Sequence, residues 1–188
     1  MRTLRTRSLV LEPVTVENAA VLWRVMQAAH LREFQDVPRY TREEFERRVA
    51  GRVKRLDARA LGRFEWILRV AGSGEPAGWV SLRVGDLARG SGEIGYSILL
   101  PYRGRGYARE ASRAVVDEAF ASASLARVEA CCVPANEPSR RLLLGLGFSE
   151  LRVQRNGAMV RGRPVDIVLF EMERELWQRL SAGERTGS

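Results

Sequence analysis

The segment from Leu99 to Ala111, LLPYRGRGYAREA, constrains the fold more strongly than any other part of the sequence. It begins with the end of an apolar strand pattern, which Pro101 interrupts. The next six residues include two glycines and two arginines, and an alanine-rich helix pattern follows them. The sequence therefore predicts a strand, a flexible basic turn and a helix in direct succession.

This turn has the properties of an anion-binding site. Gly104 and Gly106 allow backbone torsions that other residues avoid, and they let a ligand approach the main chain. The first amides of the following helix lack intrahelical partners and lie at the positive end of its dipole. Arg103 and Arg105 add full charges and bidentate donors. Together these groups could bind a pyrophosphate; the alternative is a plain glycine turn with solvated arginines.

Hydrophobic periodicity predicts one α/β domain over residues 1–176, followed by a polar tail over 177–188. The stretch from Phe64 to Val70 alternates apolar and polar residues and forms a predicted hairpin with the next strand. Thr15 and Asn136 are the predicted caps of the first and last helices. The predicted strands cover residues 8–14, 64–70, 77–86, 93–101, 126–133, 150–155 and 163–173, and the predicted helices cover residues 15–30, 41–56, 106–121 and 136–147.

The charge balance is strongly basic, with 31 basic and 23 acidic residues, a net charge of +8 and a pI near 10.6. Such a charge permits nucleic acid, anionic cofactors or acidic partners. However, the densest basic segment, Arg39 to Arg63, interleaves its arginines with acids at helical spacing, which favours a solvated helix. It offers only Tyr40 and Phe45 as stacking aromatics, so nucleic-acid binding is disfavoured.

We expect a cytoplasmic protein without a membrane span. No apolar run approaches the ~20 residues that a span needs. Near the N-terminus, Glu12 and Pro13 interrupt the apolar run before it reaches the length of a signal peptide.

Metal sites and hydrolase triads find little support. Cys131 and Cys132 are adjacent in a strand pattern and would point to opposite faces, so we expect core packing rather than a disulfide. Two cysteines alone cannot complete a zinc site, and no metal is predicted. His30 is the only histidine, its expected place is the end of a helix, and the sequence contains no G-x-S-x-G element.

The sequence GSGEIG, with Gly90, Gly92 and Gly95, matches the G-x-G-x-x-G dinucleotide fingerprint by letters alone. That fingerprint functions when a strand precedes it and a helix opens within it. Here a strand follows, so no helix N-terminus would receive a pyrophosphate. We reject this match.

Four segments in the right order resemble the GCN5-related N-acetyltransferases (GNAT), and the resemblance covers nearly the whole chain. YRGRGYAREA looks like their R/Q-x-x-G-x-G/A acetyl-CoA motif. The other three are RTRSLVLEPVTVENAAVLW, similar to their first strand and helix, NEPSRRLLLGLGF, similar to their N-x-x-S element, and NGAMVRGRPVDIVLFEME, which resembles the closing strands of the ribosomal-protein alanine N-acetyltransferases. The resemblance implies a mixed, mostly antiparallel sheet with helices on both faces and a splayed strand pair that receives acetyl-CoA.

The resemblance also assigns a cofactor-binding set. The pantetheine arm of acetyl-CoA would run beside the strand Ser97 to Leu100, where that strand separates from the strand of Cys131. Asn136 would bond the arm from the opposite lip, a role compatible with capping a helix. The residues implied in acetyl-CoA binding are Ile98, Leu99, Leu100, Arg103, Gly104, Arg105, Gly106, Tyr107, Ala108 and Asn136.

Direct acetyl transfer needs an uncharged amine and a proton donor for the leaving thiolate. Glu93 matches an acidic position of this branch and could accept the amine proton directly or through water, or it could be an exposed strand-end carboxylate. Ser139 matches the residue proposed there to protonate the thiolate, or it could be a solvated first-turn serine. The tyrosine that this family often uses as the acid has no counterpart identifiable by motif.

The resemblance implies a primary amine as the acceptor, either a protein N-terminus or a small molecule such as an amino acid or antibiotic. Loops near residues 30–40 and 155–163 would select it. A CoA-binding module without catalysis is the alternative function, and a homodimer is a further possibility that the sequence leaves open.

Overall fold

The computed structural model describes residues 1–86 and 90–186. The strands are β1 (Leu4–Arg5), β2 (Leu9–Pro13), β3 (Gly62–Val70), β4 (Pro76–Asp86), β5 (Ser91–Ile98), β6 (Arg127–Cys132), β7 (Ser149–Val160) and β8 (Arg163–Glu173). The helices are α1 (Ala19–Met26), α2 (Arg42–Ala50), α3 (Tyr107–Ser122), α4 (Glu137–Gly145) and α5 (Arg174–Thr186), with short 3₁₀ helices at Ala29–Glu33 and Leu100–Tyr102.

Within these described residues the strands form one sheet in the order β1-β2-β3-β4-β5-β6-β8-β7. Neighbouring strands run antiparallel except β5 and β6, which are parallel. The predicted fold class, a mixed and mostly antiparallel sheet with helices on both faces, is confirmed.

Alternation along the strands divides the core between the two faces of the sheet. Trp66 points to the face covered by α3, α4 and α5, whereas the next residue, Ile67, points to the face covered by α1 and α2. On the α3 face, Ala111 and Val115 of the predicted apolar stripe are completely buried. We call these two sides the α3 face and the α1/α2 face.

The first predicted helix is too long at both ends. Asn18, and not Thr15, occupies the cap position, because its side chain accepts from the Thr15 N–H at 2.8 Å and donates to the Pro13 carbonyl at 2.9 Å, which holds residues 15–18 in a turn. The helix stops at Met26, and an extended Ala28 leads into the 3₁₀ helix that contains His30. The single histidine therefore lies in a connecting segment.

Helix α2 also ends earlier than predicted, at Ala50 before Gly51. Its start agrees with the prediction, because Thr41 and Glu44 form a reciprocal capping box. The two cysteines do face opposite sides of β6, but Cys132 alone is buried and Cys131 is exposed, so core packing was wrong for Cys131.

The predicted polar tail is mostly helix. Residues 177–186 belong to α5, and residues 187–188 lie outside the described part of the chain. Trp177 is buried against Phe120, with 6.5 Å between ring centroids, and its indole N–H donates to Asp117 at 2.7 Å. Burial of one large aromatic residue therefore attaches this segment to α3. Among the described helices, none has the length and apolar character to cross a membrane.

Candidate active site

The sheet opens between β5 and β6. These strands pair only at Ser91–Glu93 with Arg127–Glu129, although β5 continues to Ile98 and β6 to Cys132. Beyond Glu93, β5 stays paired with β4, and β6 stays paired with β8. The result is a gap that is closed at Glu93 and widens toward the C-terminal ends of both strands.

The exposed edge of β5 carries main-chain groups into this gap. Leu99 donates to the Ala77 carbonyl, and with the antiparallel register this directs the peptide groups of alternate residues toward β4. The intervening residues, Ile94, Tyr96 and Ile98, therefore direct their N–H and C=O groups toward β6. An extended ligand with amide groups could pair with this edge as another strand does.

At the wide end of the gap, the glycine–arginine turn has the conformation that the sequence predicts. Gly104 and Gly106 have φ values of 75° and 78°, and a Cβ at either position would meet no atom within 4 Å. The backbone conformation, rather than lack of space, therefore requires glycine at these positions. Gly106 occupies the cap position of α3, and the helix begins at Tyr107.

The side chains of the turn divide between solvent and core. Arg103 and Arg105 are exposed, Tyr107 is buried and Ala108 is half-buried. Arg105 lies over the ring of Tyr102 at 5.6 Å. The two guanidinium groups and the first amides of α3 thus form a basic surface at the mouth of the gap.

The three residues at the end of β5 and just after it, Ile98, Leu99 and Leu100, contribute mainly main-chain groups to the gap. Ile98 packs against the core of the α3 face, Leu99 packs against the core of the α1/α2 face, and Leu100 is exposed. The Ile98 carbonyl accepts from the Arg103 guanidinium at 3.4 Å. Their apolar side chains fix the strand end and leave its peptide groups at the gap.

Helix α4 supplies the opposite lip. Asn136 caps it, and its side-chain oxygen accepts from the Ser139 N–H at 3.3 Å. The cap uses the oxygen, while the amide Nδ2 remains a donor group at the end of β6. Asn136 and Ser139, both half-buried, therefore lie on the same helical turn beside the gap.

A contact that the sequence did not predict crosses the gap. The Tyr96 hydroxyl lies 2.9 Å from the Ser139 Oγ and also donates to the Ser139 carbonyl at 3.5 Å. Burial raises the pKa of Tyr96 to about 12, with smaller increases from the thiols of Cys132 and Cys131 and a partial decrease from the bond to Ser139. The phenol is therefore protonated at neutral pH.

Glu93 marks the closed end of the gap and points to the α1/α2 face, because its neighbour Ile94 belongs to the core on the α3 face. The side chain is 40% exposed and forms an ion pair with Arg83 at 2.5 Å. The pKa of Arg83 is raised, first by its hydrogen bond to Glu93 and then by the charge of that carboxylate. The carboxylate is thus oriented from one side and open to solvent on the other.

Register places Glu93 in a charged row that crosses five strands on this face. Arg63, Arg83, Glu93, Glu129 and Glu171 are successive partners from β3 to β8. The row changes from basic to acidic between the second and third of these residues. On the β6 side, Arg127 pairs with both Glu129 and Glu171 at 3.2 Å, so the acidic end of the row is partly neutralised within the protein.

The two loops expected to select the acceptor meet over this face. Gln35, after the first 3₁₀ helix, donates to the buried Ser97 hydroxyl at 2.7 Å. Arg161, at the tip between β7 and β8, donates to the Arg32 carbonyl at 3.0 Å. The segment from Ala29 to Gln35 is therefore tied both to β5 and to the β7–β8 tip.

The structure thus brings the predicted site residues together around one gap, and it adds Tyr96, Arg83 and Gln35, which the sequence reasoning missed. Strand alternation places Tyr96 on the α3 face. No sequence signal predicted its contact with Ser139, which lies 43 residues further along the chain.

Comparison with known proteins gives consistent results. The acetyltransferase (GNAT) domain family model matches residues 8–149. The uncharacterized N-acetyltransferase p20 of Bacillus licheniformis is 28% identical over 92% of this chain and 96% of its own length. YdaF of Bacillus subtilis, provisionally named a ribosomal N-acetyltransferase, is 32% identical over 56% of this chain and 57% of its own length.

Two solved structures share the fold. The ribosomal-protein-S5-alanine acetyltransferase from Vibrio fischeri has a TM-score of 0.80 at 19% identity and covers 94% of this chain and 99% of its own. RimL, a ribosomal L7/L12 α-N-protein acetyltransferase determined with coenzyme A, has a TM-score of 0.78 at 15% identity and covers 93% of this chain and 99% of its own. The strand gap, the glycine turn at the start of α3 and the family match lead to one conclusion: the chain belongs to the GNAT family and is an N-acetyltransferase.

Proposed function

We propose that this enzyme transfers the acetyl group of acetyl-CoA directly to the N-terminal α-amine of a protein. The observation that supports this most strongly is the β5–β6 gap, which has the glycine–arginine turn at one end and the Glu93 carboxylate at the other. Acetyl-CoA supplies the activated acetyl group as a thioester, and the residues below would hold it and manage the protons.

Binding of the donor rests on backbone groups and two arginines. The amides at the start of α3, with Arg103 and Arg105, would hold the pyrophosphate. The edge of β5 would pair with the pantetheine amides, and a β5 amide would bond the thioester oxygen as it becomes negative. Asn136 would donate from Nδ2 at the opposite lip. The wider set is the one that the family resemblance implies, namely Ile98, Leu99, Leu100, Arg103, Gly104, Arg105, Gly106, Tyr107, Ala108 and Asn136.

Two side chains would manage protons on opposite sides of the sheet. Glu93, on the α1/α2 face, would accept the proton of the attacking amine directly or through water. Ser139, at the end of the gap on the α4 side, would donate its proton to the leaving sulfur.

The choice of an α-amine follows from the free energy of deprotonation. At pH 7 an α-amine with a pKa of ~8 costs roughly 1.4 kcal/mol to neutralise, whereas a lysine at ~10.4 costs roughly 4.6 kcal/mol. A single carboxylate can deprotonate an α-amine more readily than a lysine side chain. RimL is named an α-N-protein acetyltransferase of ribosomal L7/L12, and the names of YdaF and the Vibrio fischeri enzyme refer to ribosomal acetylation for those proteins.

A matched acceptor screen tests this proposal, after a calorimetric titration has measured acetyl-CoA binding. The first acceptor is a lysine-free peptide with a free N-terminal alanine. The second is the same peptide with a blocked N-terminus and one lysine, and the third is a set of free amino acids and aminoglycosides. Acetylation of the first peptide alone supports the proposal. Turnover of small amines alone supports a small-molecule acetyltransferase, and acetyl-CoA binding without any turnover supports a non-catalytic module.

A further inference from the structure

We propose that Tyr96 is a positioning residue that directs the Ser139 proton toward the leaving sulfur of acetyl-CoA. This inference rests on the proposed role of Ser139 as the proton donor. It starts from the bond between the two hydroxyl groups, which joins β5 to the first turn of α4 across the gap.

The location of the bond distinguishes it from ordinary packing between neighbours. Tyr96 lies three residues beyond the last β5–β6 pair, at Glu93, so no strand pairing holds it next to the β6 side of the gap. Its ring packs against the core of the α3 face, which fixes the direction of the phenol. The hydroxyl thus reaches Ser139 from a rigid strand that also offers its main chain to the ligand.

The hydrogen-bonding capacity of a serine determines the direction of this bond during transfer. A hydroxyl has one hydrogen and two acceptor lone pairs. If Ser139 directs its hydrogen to the sulfur, then the bond to Tyr96 must run from the phenol to the Ser139 oxygen. A protonated phenol can donate in this way, and a tyrosine is protonated at neutral pH with or without the increase that burial causes in the pKa of Tyr96.

The Ser139 hydroxyl also lies near the Cys132 thiol. Burial raises the pKa of that thiol, and its interaction with Ser139 partly lowers it. The bond to Tyr96 is the side-chain contact that orients the Ser139 hydroxyl. The other charged groups near Cys132, Glu137, Arg140 and Glu150, are paired among themselves on the outer side of α4.

The proton balance of the step is simple. As the amine nitrogen bonds to the acetyl carbon, the C–S electron pair moves to sulfur and the Ser139 proton follows it. The amine proton leaves through Glu93, and a water molecule reprotonates the Ser139 oxygen in the same step, so no serine alkoxide accumulates beside the phenol. Tyr96 keeps its proton throughout and fixes the orientation of the serine.

Helix α4 itself carries no tyrosine between Glu137 and Gly145, so the phenol reaches this turn from β5 on the other side of the gap. A tether that merely held the gap together would affect stability and donor binding. A positioning residue would affect turnover, and only while Ser139 is present. This difference makes the two roles separable.

The test is a double-mutant cycle on the full chain with Y96F, S139A and the Y96F/S139A double variant, using the acceptor that the screen identifies. We expect S139A to lower kcat about hundredfold, Y96F to lower it about tenfold, and the double variant to match S139A. The KM and calorimetric Kd for acetyl-CoA should stay within about twofold of wild type. S122A, which removes a hydroxyl bonded to Glu118 in α3, is the control and should keep full turnover.

The remaining outcomes overturn the inference in distinguishable ways. If Y96F slows turnover equally in the wild-type and S139A backgrounds, or raises KM and lowers Tm at unchanged kcat, then Tyr96 is only a structural tether. If S139A turns over at the wild-type rate, Ser139 is not the proton donor and Tyr96 does not position one. The enzyme would still be an acetyltransferase. If wild type acetylates no amine, the proposed function itself is wrong and the inference fails with it.

Discussion

The glycine–arginine turn and the segment from Ala29 to Gln35 lie on opposite faces of the sheet at the C-terminal end of β5, and they are built in different ways. The turn is local, because Gly104 and Gly106 set its backbone and α3 follows immediately. The Ala29–Gln35 segment depends on two long-range hydrogen bonds. Gln35 donates to Ser97, 62 residues away in sequence, and the Arg32 carbonyl accepts from Arg161, 129 residues away. In the proposed function, donor binding therefore depends on a short motif, whereas acceptor binding depends on long-range contacts that loop changes can alter.

We expect the largest loss of turnover from a change at Glu93, the carboxylate at the closed end of the gap. Glu93→Gln keeps the size of the side chain but removes the proposed base, and we expect kcat to fall about hundredfold with an unchanged acetyl-CoA Kd. Steady-state kinetics and calorimetry measure the two quantities. Glu46→Gln, which weakens an exposed ion pair with Arg42 on α2, is the matched control. A Glu93→Gln enzyme with wild-type kcat would show that the base lies elsewhere.

The donor side can be disrupted at one backbone position. Gly106→Val places a β-branched residue at a φ of 78°, which displaces the first turn of α3. We expect acetyl-CoA to bind about thirtyfold more weakly, roughly 2 kcal/mol. Gly72→Val imposes similar strain at a φ of 91° in the β3–β4 turn, where a Cβ also meets no atom within 4 Å. The two variants should lose similar stability, and an equal loss of acetyl-CoA affinity in both would remove the special role of the turn.

Alkaline unfolding should reveal the phenol that links the two sides of the gap. The pKa of Tyr96 is raised from 10.0 to about 12, so between these values the unfolded chain has lost the proton and the folded chain still holds it. Stability therefore falls as pH rises through this window, by at most about 1.4 kcal/mol per pH unit. Denaturant unfolding of wild type and Y96F at pH 9, 10, 11 and 12 checks this. We expect a steeper loss for wild type, and parallel curves would contradict the burial of this phenol.

The smallest effect should appear on the acceptor side. Gln35→Ala removes the partner of the buried Ser97 hydroxyl and loosens the segment before α2. We expect the acceptor KM to rise about fivefold, roughly 1 kcal/mol, while the acetyl-CoA Kd stays constant. Gln27→Ala, which removes an exposed bond to the Trp23 carbonyl, is the control. A change in donor affinity instead would show that the two faces are coupled.

The sequence predicted those parts of the fold that depend on neighbouring residues. The turn before α3, the Asn136 cap and the β3–β4 hairpin each follow from short patterns. The start of α1 was wrong because an Asn18 turn competes with helix over the preceding residues. The helix over the segment described as a tail was not predicted, because burial of Trp177 depends on α3, which the local composition does not reveal.

The candidate site residues came from sequence motifs, whereas their contacts with one another could not be predicted. Glu93 and Ser139 were candidates by resemblance, and the strand gap between them is what the family implies. By contrast, the ion pair with Arg83 depends on strand register. The Tyr96–Ser139 bond depends on how far two strands diverge. Neither quantity can be calculated from the spacing of residues along the chain.

The three-residue pairing between β5 and β6 has a consequence for the mechanics of the sheet. It divides the sheet into two halves, one made of strands β1 to β5 and the other of β6, β8 and β7. Only the short β5–β6 pairing joins them within the sheet. A ligand inserted between the two halves would act as the missing strand. It would then stabilise the folded state, by about 2.7 kcal/mol when its concentration is a hundred times Kd. The amides of Ile94, Tyr96 and Ile98 should then exchange slowly with solvent only when acetyl-CoA closes the seam.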